Sequence, residues 1–352
     1  MVSACLALLA ALAASSVGAV SPLCPPGPTA PGAPEAAGKI RDHRFISVGG
    51  IEQWIAIDGE KCGNPVILFL HGGPANPLSP YSDAVYGKWA KDFTLVQWDQ
   101  RGGGKTYIRN KSTSTLTLEQ MAEDGIEVAN FIRHHLGKQK IILTGSSWGS
   151  ILGIHMAKAH PELFDAYIGV SQLVSQRENQ AASYAAVLAL AGQAEDREAV
   201  TALQAIGAPP WSNPRNNGIL RRLVRRYEAK TTLPSPPAWW QVSAEYASPQ
   251  MEAQYEEGEE YSYLQFIGMQ NDGMYSKVDL PKLGTDFKVP VYFIQGTQDL
   301  LTTADVTRRY FDSIGAPDKD LIMVPQAGHD PNTPLIDAQY KLLMERVRPK
   351  LR

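Results

Sequence analysis

Short, continuous apolar runs alternate with helical patterns along most of this chain. Such runs, bounded by glycine or polar residues, are typical of strands buried on both faces of a sheet. They occur within NPVILFLHGG, FTLVQWDQRGGG, KQKIILTGSS, DAYIGVSQ, KVPVYFIQGTQD and KDLIMVPQAGHD. Two β-rich runs around Gly49-Gly50 predict a hairpin before them.

A helix is predicted between two of these strands. The segment begins at Thr117 with a Thr-x-x-Gln capping box and ends at Gly137, and its apolar residues lie mostly on one helical face. Strands and helices in alternation favour parallel pairing with right-handed crossovers. The pattern therefore predicts an α/β fold with a mostly parallel central sheet.

The alternation is interrupted in the second half of the chain. Residues 173–285 are helix-like and rich in aromatic residues, which predicts an insertion between two parts of the core, 40–172 and 286–352. A last amphipathic helix is expected near Leu335–Val347. The basic run Arg221–Arg226 within the insertion is interpreted as the solvated edge of an amphipathic helix.

The N-terminus has a different composition. Residues 1–19 contain an apolar run followed by small residues, which predicts a signal peptide and export to the periplasm or beyond the cell. Residues 20–39 are rich in proline and alanine and predict an extended linker. Removal of the signal would leave Cys24 and Cys62. The sequence leaves open whether these two cysteines form a disulfide or stay as free thiols.

Composition excludes several other classes of function. The 352 residues carry a formal net charge of −3, which provides no electrostatic reason to expect a nucleic-acid partner. No apolar run is long enough for a stable membrane span. The sequence contains neither CxxC nor HExxH, and Gly102–Gly104 is not interpreted as a phosphate loop, because no helix pattern with a Walker lysine and Ser/Thr is recognised after it, so no metal or cofactor is expected. The oligomeric state stays open.

The stretch Gly145-Ser146-Ser147-Trp148-Gly149 fits the pattern G-x-S-x-G. It lies between an apolar strand and a helical pattern, which is the context that a nucleophile elbow requires. In such an elbow a sharp turn raises the serine hydroxyl above the sheet at a helix N-terminus. The context therefore predicts that Ser147 is a nucleophile.

A serine nucleophile needs a base and an orienting carboxylate. Asp299 and His329 each follow a predicted strand near the end of the chain. The chain order Ser147, Asp299, His329 is the order found in α/β hydrolases. For the oxyanion, the expected donors are the N–H groups of Trp148 and of Gly73, within HGGPANP.

HGGP, DQRGGGKT and GSSWGS together resemble the proline iminopeptidase branch of the α/β-hydrolase superfamily. The resemblance covers about His43 to Pro349 and is weakest across the insertion. It implies a serine hydrolase of the α/β-hydrolase fold, with an inserted helical cap and no cofactor, that releases N-terminal residues, often proline, from small peptides. It also implies that Asp99 and Arg101 fix loops near the site.

Two departures from this family bear on the substrate. The family commonly has glycine after HGGP, where this chain has Ala75, and it uses cap glutamates to hold the substrate ammonium. The residue after the tryptophan pair Trp239-Trp240 is Gln241 instead of an acid. Other acidic residues of the cap are candidates for this role: Glu178, Glu245, Glu256 and Glu257.

Two enzymatic functions follow from these features. An aminopeptidase needs a cap carboxylate that faces the pocket, since a bound ammonium is costly to desolvate alone. A carboxylester hydrolase predicts an apolar pocket without a buried acid, lined by Trp239, Trp240, Tyr263 and Phe266. The complete triad argues against a non-catalytic binding domain.

Overall fold

The computed structural model of the protein describes residues 22–24, 37–111 and 114–351. The predicted signal peptide, 1–19, and most of the predicted linker lie outside these residues. The strands are β1 Ala37–Val48, β2 Ile51–Lys61, β3 Val66–Leu70, β4 Thr94–Asp99, β5 Ile141–Ser146, β6 Phe164–Val170, β7 Val291–Gly296 and β8 Lys319–Val324. The first strand thus begins three residues before the predicted start of the core at residue 40.

The described strands form one sheet in the order β1-β2-β4-β3-β5-β6-β7-β8. The β1–β2 pair is the predicted hairpin, with Val48 opposite Ile51 across Gly49-Gly50. It is antiparallel, as is the β2–β4 pair, and the remaining neighbours are parallel. The mostly parallel sheet is therefore confirmed.

The α-helices follow the predicted alternation. They are α1 Ser82–Tyr86, α2 Gly104–Asn110, α3 Leu118–His135, α4 Trp148–Ala159, α5 Gln176–Gln193, α6 Arg197–Ile206, α7 Arg215–Glu228, α8 Pro249–Ile267, α9 Ala304–Ser313 and α10 Thr333–Leu342. The N-cap of α3 is Thr117, whose hydroxyl accepts from the N–H of Gln120 at 3.1 Å, as the capping box predicts. No helix of the described ranges is long and apolar enough to cross a bilayer.

Apolar side chains pack on both faces of the sheet, and β7 is buried along its whole length. Along the chain, helices α5 to α8 come between strands β6 and β7. Three of them, α5, α6 and α7, share a separate apolar cluster that includes Val187, Leu203 and Val224. At the base of this insertion the N–H of Leu280 donates to the carbonyl of Val174 at 2.9 Å, so its two ends meet. The proposed boundaries at 172/173 and 285/286 stay predictions.

Cys24 and Cys62 form a disulfide, with their Cα atoms 5.6 Å apart. This resolves the alternative that the sequence leaves open. The N–H of Leu23 donates to the carbonyl of His135 at 2.8 Å, and Cys24 is buried. Residues 22–24 are therefore attached to the core at the end of α3.

Candidate active site

Ser147 stands at the turn between β5 and α4. Its backbone has φ 51° and ψ −116°, a strained conformation for a residue with a side chain. The flanking glycines are needed because a Cβ on Gly145 would lie 2.2 Å from the carbonyl oxygen of Gly149. A Cβ on Gly149 would lie 2.1 Å from the carbonyl oxygen of Leu70. The G-x-S-x-G pattern therefore reflects the backbone packing of an elbow.

His329 and Asp299 extend from Ser147 in a hydrogen-bonded line. The Nε2 atom of His329 is 2.9 Å from the Oγ of Ser147, and its Nδ1 atom is 3.1 Å from Oδ2 of Asp299. Asp299 follows β7 and His329 follows β8, two neighbouring parallel strands. Their carboxyl ends share one edge of the sheet, which is where doubly wound folds place ligand sites.

Asp299 is buried and receives several hydrogen bonds. Its Oδ1 accepts from the N–H groups of Leu301 and Thr302 at 2.9 and 2.7 Å. Its Oδ2 accepts from Thr302 Oγ1 at 2.6 Å and from Gln295 Nε2 at 3.1 Å. Burial raises the pKa of Asp299, but the charge of His329 and these hydrogen bonds outweigh it and hold the pKa below its ordinary value. Asp299 is thus suited to stay ionised.

The pKa of His329 is shifted in the opposite direction. Burial lowers the pKa, and the charge and hydrogen bond of Asp299, with smaller contributions from Glu228 and Asp330, raise it above 6.5. The imidazole is therefore a stronger base than a free histidine.

The two predicted oxyanion donors belong to Trp148, which follows Ser147 in the chain, and to Gly73. Trp148 is the first residue of α4, so its N–H has no acceptor within the helix. Gly73 lines the same pocket as Ser147 and has φ +110°, and a Cβ there would lie 2.8 Å from the N atoms of Ala75 and Asn76. Ala75 itself has φ 62°, so alanine adopts the left-handed conformation where glycine is common in the family.

A buried network holds the Gly73 loop against the elbow. The indole Nε1 of Trp148 donates to Oε1 of Gln100 at 2.9 Å. The N–H of Gln100 donates to Nε2 of His71 at 3.2 Å, and Nδ1 of His71 is 2.9 Å from the carbonyl of Gly72. Burial lowers the pKa of His71 to about 4, so this imidazole stays neutral.

A pocket with ≈ 500 Å³ of empty space, part of it open to solvent, is bounded by Ser147 and Gly73. The cap contributes polar side chains to its wall: Asn179, Gln180, Ser183, Asn217 and Arg221. Of the four aromatic residues predicted for an ester pocket, Phe266 lines it, and Trp239, Trp240 and Tyr263 do not. A second pocket, with ≈ 470 Å³ of empty space that is also partly open to solvent, reaches His329 from the side of α1 and α10.

None of the four glutamates proposed from sequence lines this pocket. Glu178 is exposed on α5 and accepts from Nη2 of Arg309 at 3.2 Å. Glu245 lies against β1 and α2, where His43 Nδ1 and Lys105 Nζ approach it at 2.8 and 2.9 Å. Each is paired with a basic side chain, and their predicted role in binding a substrate ammonium stays a prediction.

The two tryptophans are also displaced from the pocket. Trp240 is 42% exposed and meets Tyr81 edge to face, with ring centroids 5.4 Å apart. Trp239 packs against the apolar cluster that contains α1 and α10. Neither ring lines the pocket that contains Ser147.

Glu228 is a residue that the sequence analysis missed. It ends α7 and is 5% exposed, with Oε1 2.6 Å from the N–H of Leu300 and Oε2 3.1 Å from the N–H of His329. Burial and then the charge of Asp299 raise its pKa to about 7. Its spacing of four and eight residues from Val224 and Leu220 places it on the apolar face of the helix, which was the available signal.

An elbow serine, with an aspartate on the loop after β7 and a histidine on the loop after β8, defines the α/β-hydrolase class. The alpha/beta hydrolase fold family model matches residues 65–332, so the chain belongs to this family. The relatives described next are named aminopeptidases and proline iminopeptidases, so within this family the hydrolase resembles the proline iminopeptidase branch.

The chain is similar to a probable aminopeptidase, YbaC, of Bacillus subtilis, at 29% identity over 296 residues, 82% of this chain and 90% of that protein. It is also similar to a probable proline iminopeptidase of Streptomyces coelicolor, at 25% identity over 309 residues, 83% of this chain and 91% of that protein. The crystal structure of the proline iminopeptidase of Mycobacterium smegmatis superimposes with a TM-score of 0.60 at 20% identity, covering 88% and 94% of the two chains. This last likeness concerns the fold.

Proposed function

We propose that the protein is a serine hydrolase that acts through an acyl-enzyme. The observation that carries this proposal is the line of contacts at 2.9 and 3.1 Å from Ser147 through His329 to Asp299. His329 takes the Ser147 proton as Oγ attacks a carbonyl carbon, and Asp299 stabilises the imidazolium. His329 then gives the proton to the leaving group, and water attacks the acyl-enzyme by the same route in reverse.

The negative charge that develops on the carbonyl oxygen needs donors that are already in place. The N–H groups of Trp148 and Gly73 fill this role in the proposal. Loss of one such donor in a serine hydrolase costs about 10²–10³-fold in kcat. The network from Trp148 through Gln100 to His71 supports the proposal, since it restrains both donors relative to Ser147.

For the substrate, we propose a small peptide with a free N-terminus. The relatives named as aminopeptidases support this, and so does Glu228, a buried cap carboxylate that contacts the His329 loop. A carboxylate has about four lone-pair positions, and backbone N–H groups occupy two of them in Glu228. A substrate ammonium would offset the cost of keeping this carboxylate charged in a buried site.

A carboxylester hydrolase is the second candidate. It is favoured by one observation: no carboxylate is among the described residues that line the pocket at Ser147. An ester also has a better leaving group and carries no ammonium to neutralise.

The test compares a proline arylamide with a short-chain aryl ester on purified enzyme and on Ser147→Ala. Wild-type enzyme is expected to cleave both, and the variant should lose roughly 10⁴-fold or more in kcat on each while it stays folded. Near-normal turnover by the variant would refute the nucleophile. Cleavage of the ester alone would favour the second candidate.

The role of Glu228 is tested by Glu228→Gln, with Glu178→Gln as the matched control on an exposed glutamate. Loss of a charged contact to the ammonium should lower kcat/KM on a free-amine arylamide roughly 10- to 150-fold. An aryl ester without an amine should lose much less. An equal loss on both substrates would mean that Glu228 positions the loops and does not meet the ammonium.

We also propose that the protein is exported, with residues 1–19 removed. The Cys24–Cys62 disulfide supports this, because disulfides persist in oxidising compartments. Fractionation of cells that express the full chain should recover the protein outside the cytoplasm, with its N-terminus near residue 20. An intact N-terminus in the cytoplasmic fraction would refute export.

A further inference from the structure

Two side chains of α5 hold buried polar atoms without a hydrogen-bond partner beside the nucleophile. Asn179 and Ser183 are four residues apart on one face of α5, and both line the pocket that contains Ser147. Asn179 Nδ2 and Ser183 Oγ are buried without a partner. Buried polar groups are usually paired, so such atoms next to a nucleophile point to a group that the substrate supplies.

The orientation of the Asn179 amide is determined by its neighbours. Its Oδ1 accepts from the N–H groups of Val174 and Ser175 at 2.9 and 3.0 Å. Both partners are donors, so the oxygen must face them and the amide nitrogen must be the free atom. Asn179 therefore offers a donor, and the group that it lacks is an acceptor.

A cation lines the same pocket from α7. Arg221 is half-buried, and its guanidinium carbon lies 5.8 Å from the ring centroid of Tyr263. Glu259 on α8 lies within its electrostatic reach, but within the described ranges the Arg221 guanidinium forms no ion pair at 4.0 Å or less. The pocket thus combines an unpaired amide donor, an unpaired hydroxyl and a guanidinium.

We assign this pocket to the acyl side of the reaction. It is lined by Ser147 and Gly73, to which the acyl group stays attached and hydrogen-bonded after the first step. His329, which delivers the proton to the leaving group, lines the other cavity. The polar wall of the cap therefore faces the acyl part of the substrate.

We propose that this pocket selects acyl groups whose side chain ends in an oxygen acceptor, with a carboxylate preferred over a carboxamide. The proposal rests on the proposed serine hydrolase function. Asn179 Nδ2 and Ser183 Oγ donate to the acceptor oxygens, and Arg221 neutralises a carboxylate. An apolar acyl group would leave these donors unpaired, and sites built around hydrogen bonds discriminate strongly against such analogues.

The test uses two matched substrate pairs, so that its outcome does not depend on whether amides or esters are hydrolysed. The first pair is a glutamyl and a leucyl arylamide, and the second is a monoaryl glutarate and an aryl pentanoate. In each class that is cleaved, kcat/KM is expected to be at least about tenfold higher for the acceptor-bearing member. A preference for the apolar member, or equal rates within a pair, overturns the proposal.

Three variants assign the preference to its residues. Arg221→Met should lower kcat/KM about tenfold or more on the glutamyl and glutarate substrates and leave the apolar members within about threefold. Asn179→Asp keeps the acceptor for the two backbone N–H groups but replaces the free donor, so it should act in the same direction. Ser183→Ala should show a smaller, selective loss. Arg222→Met, at the exposed neighbouring position of α7, is the matched control.

Labelling of Ser147 by a fluorophosphonate distinguishes failure of the pocket assignment from failure of the serine hydrolase function. Labelling that Ser147→Ala abolishes, together with rates that ignore the acceptor, rejects the pocket assignment and leaves the serine hydrolase intact. No labelling and no hydrolysis of any substrate rejects the proposed function and the inference with it. Losses of similar size on acceptor and apolar substrates in Arg221→Met indicate a structural role for Arg221 and also reject the assignment.

Discussion

The elbow glycine Gly149 allows a sharp prediction, because its position has no room for a side chain. In Gly149→Ala, the added Cβ would lie 2.1 Å from the carbonyl oxygen of Leu70 and 2.7 Å from that of His71. Real Cβ atoms essentially never come closer than 3.0 Å, so backbone must move by the difference, about 0.9 Å. Both oxygens belong to the main chain at the end of β3, and rotation of a side chain cannot relieve the contact.

The displacement affects both halves of the site. Either the start of α4 moves, with Ser147 and Trp148, or the end of β3 moves, with the loop that carries Gly73. A misplacement of about 1 Å costs on the order of 10²-fold in rate, so kcat/KM is expected to fall roughly 100-fold. Overpacking costs about 1–3 kcal/mol, which exceeds the gain of up to about 1 kcal/mol from alanine in a helix.

The assay measures kcat/KM on an activated ester and the free energy of unfolding in urea for Gly149→Ala and for a matched control. Gly192→Ala on α5 is suitable, since a Cβ there meets nothing within 4 Å. The control should gain roughly 0.5–1 kcal/mol in the free energy of unfolding with unchanged kinetics. If Gly149→Ala behaved like the control, the close packing of the elbow against β3 would be refuted.

Further predictions concern the acid–base pair and the disulfide. Neutral His329 is the active base, and its pKa is raised above 6.5. We therefore expect kcat/KM to fall as the pH drops through a value above 6.5. A pH profile whose acidic limb is centred below 6 would contradict this expectation. Asp299→Asn should lower kcat on the order of 10⁴-fold. It should also move the acidic limb of the pH profile to lower pH, because the charge that raises the pKa of His329 is lost. An unmoved acidic limb would mean that Asp299 does not raise the pKa of His329. Replacing Cys24 and Cys62 by serine removes a disulfide that joins residues 38 positions apart. The free energy of unfolding should fall by about 3–4 kcal/mol. An unchanged midpoint of urea unfolding would refute this prediction.

The sheet and the elbow could be predicted because their signals are local. A strand such as β5 is a continuous apolar run, and Gly145 and Gly149 mark the turn within five residues of sequence. Asp299 and His329 are distant in sequence but follow neighbouring strands, so topology alone brings them to one edge. Chain order therefore contained enough information to predict which residues meet Ser147.

The cap was harder because nothing local distinguishes an inward acid from an outward one. Glu178 lies in the first turn of α5, only one residue before Asn179, yet it is exposed and pairs with Arg309, whereas Asn179 lines the pocket. Glu245 is an equally good candidate from sequence, but in the structure it pairs with His43 of β1 and Lys105 of α2. These partners come from distant segments, so their effect is absent from any short window of sequence.

The pattern that favours a solvated helix edge at Arg221–Arg226 does not reveal two contacts that this helix makes. Leu220 and Val224 are buried as the amphipathic pattern requires, but the same helix α7 places Arg221 in the pocket and Glu228 against the loops of both Asp299 and His329. A cap helix attached at one end to the catalytic loops cannot lift away without breaking the two hydrogen bonds to Glu228. Because Arg221 lies two turns away on that helix, the position of the guanidinium in the pocket is coupled to the integrity of the triad loops.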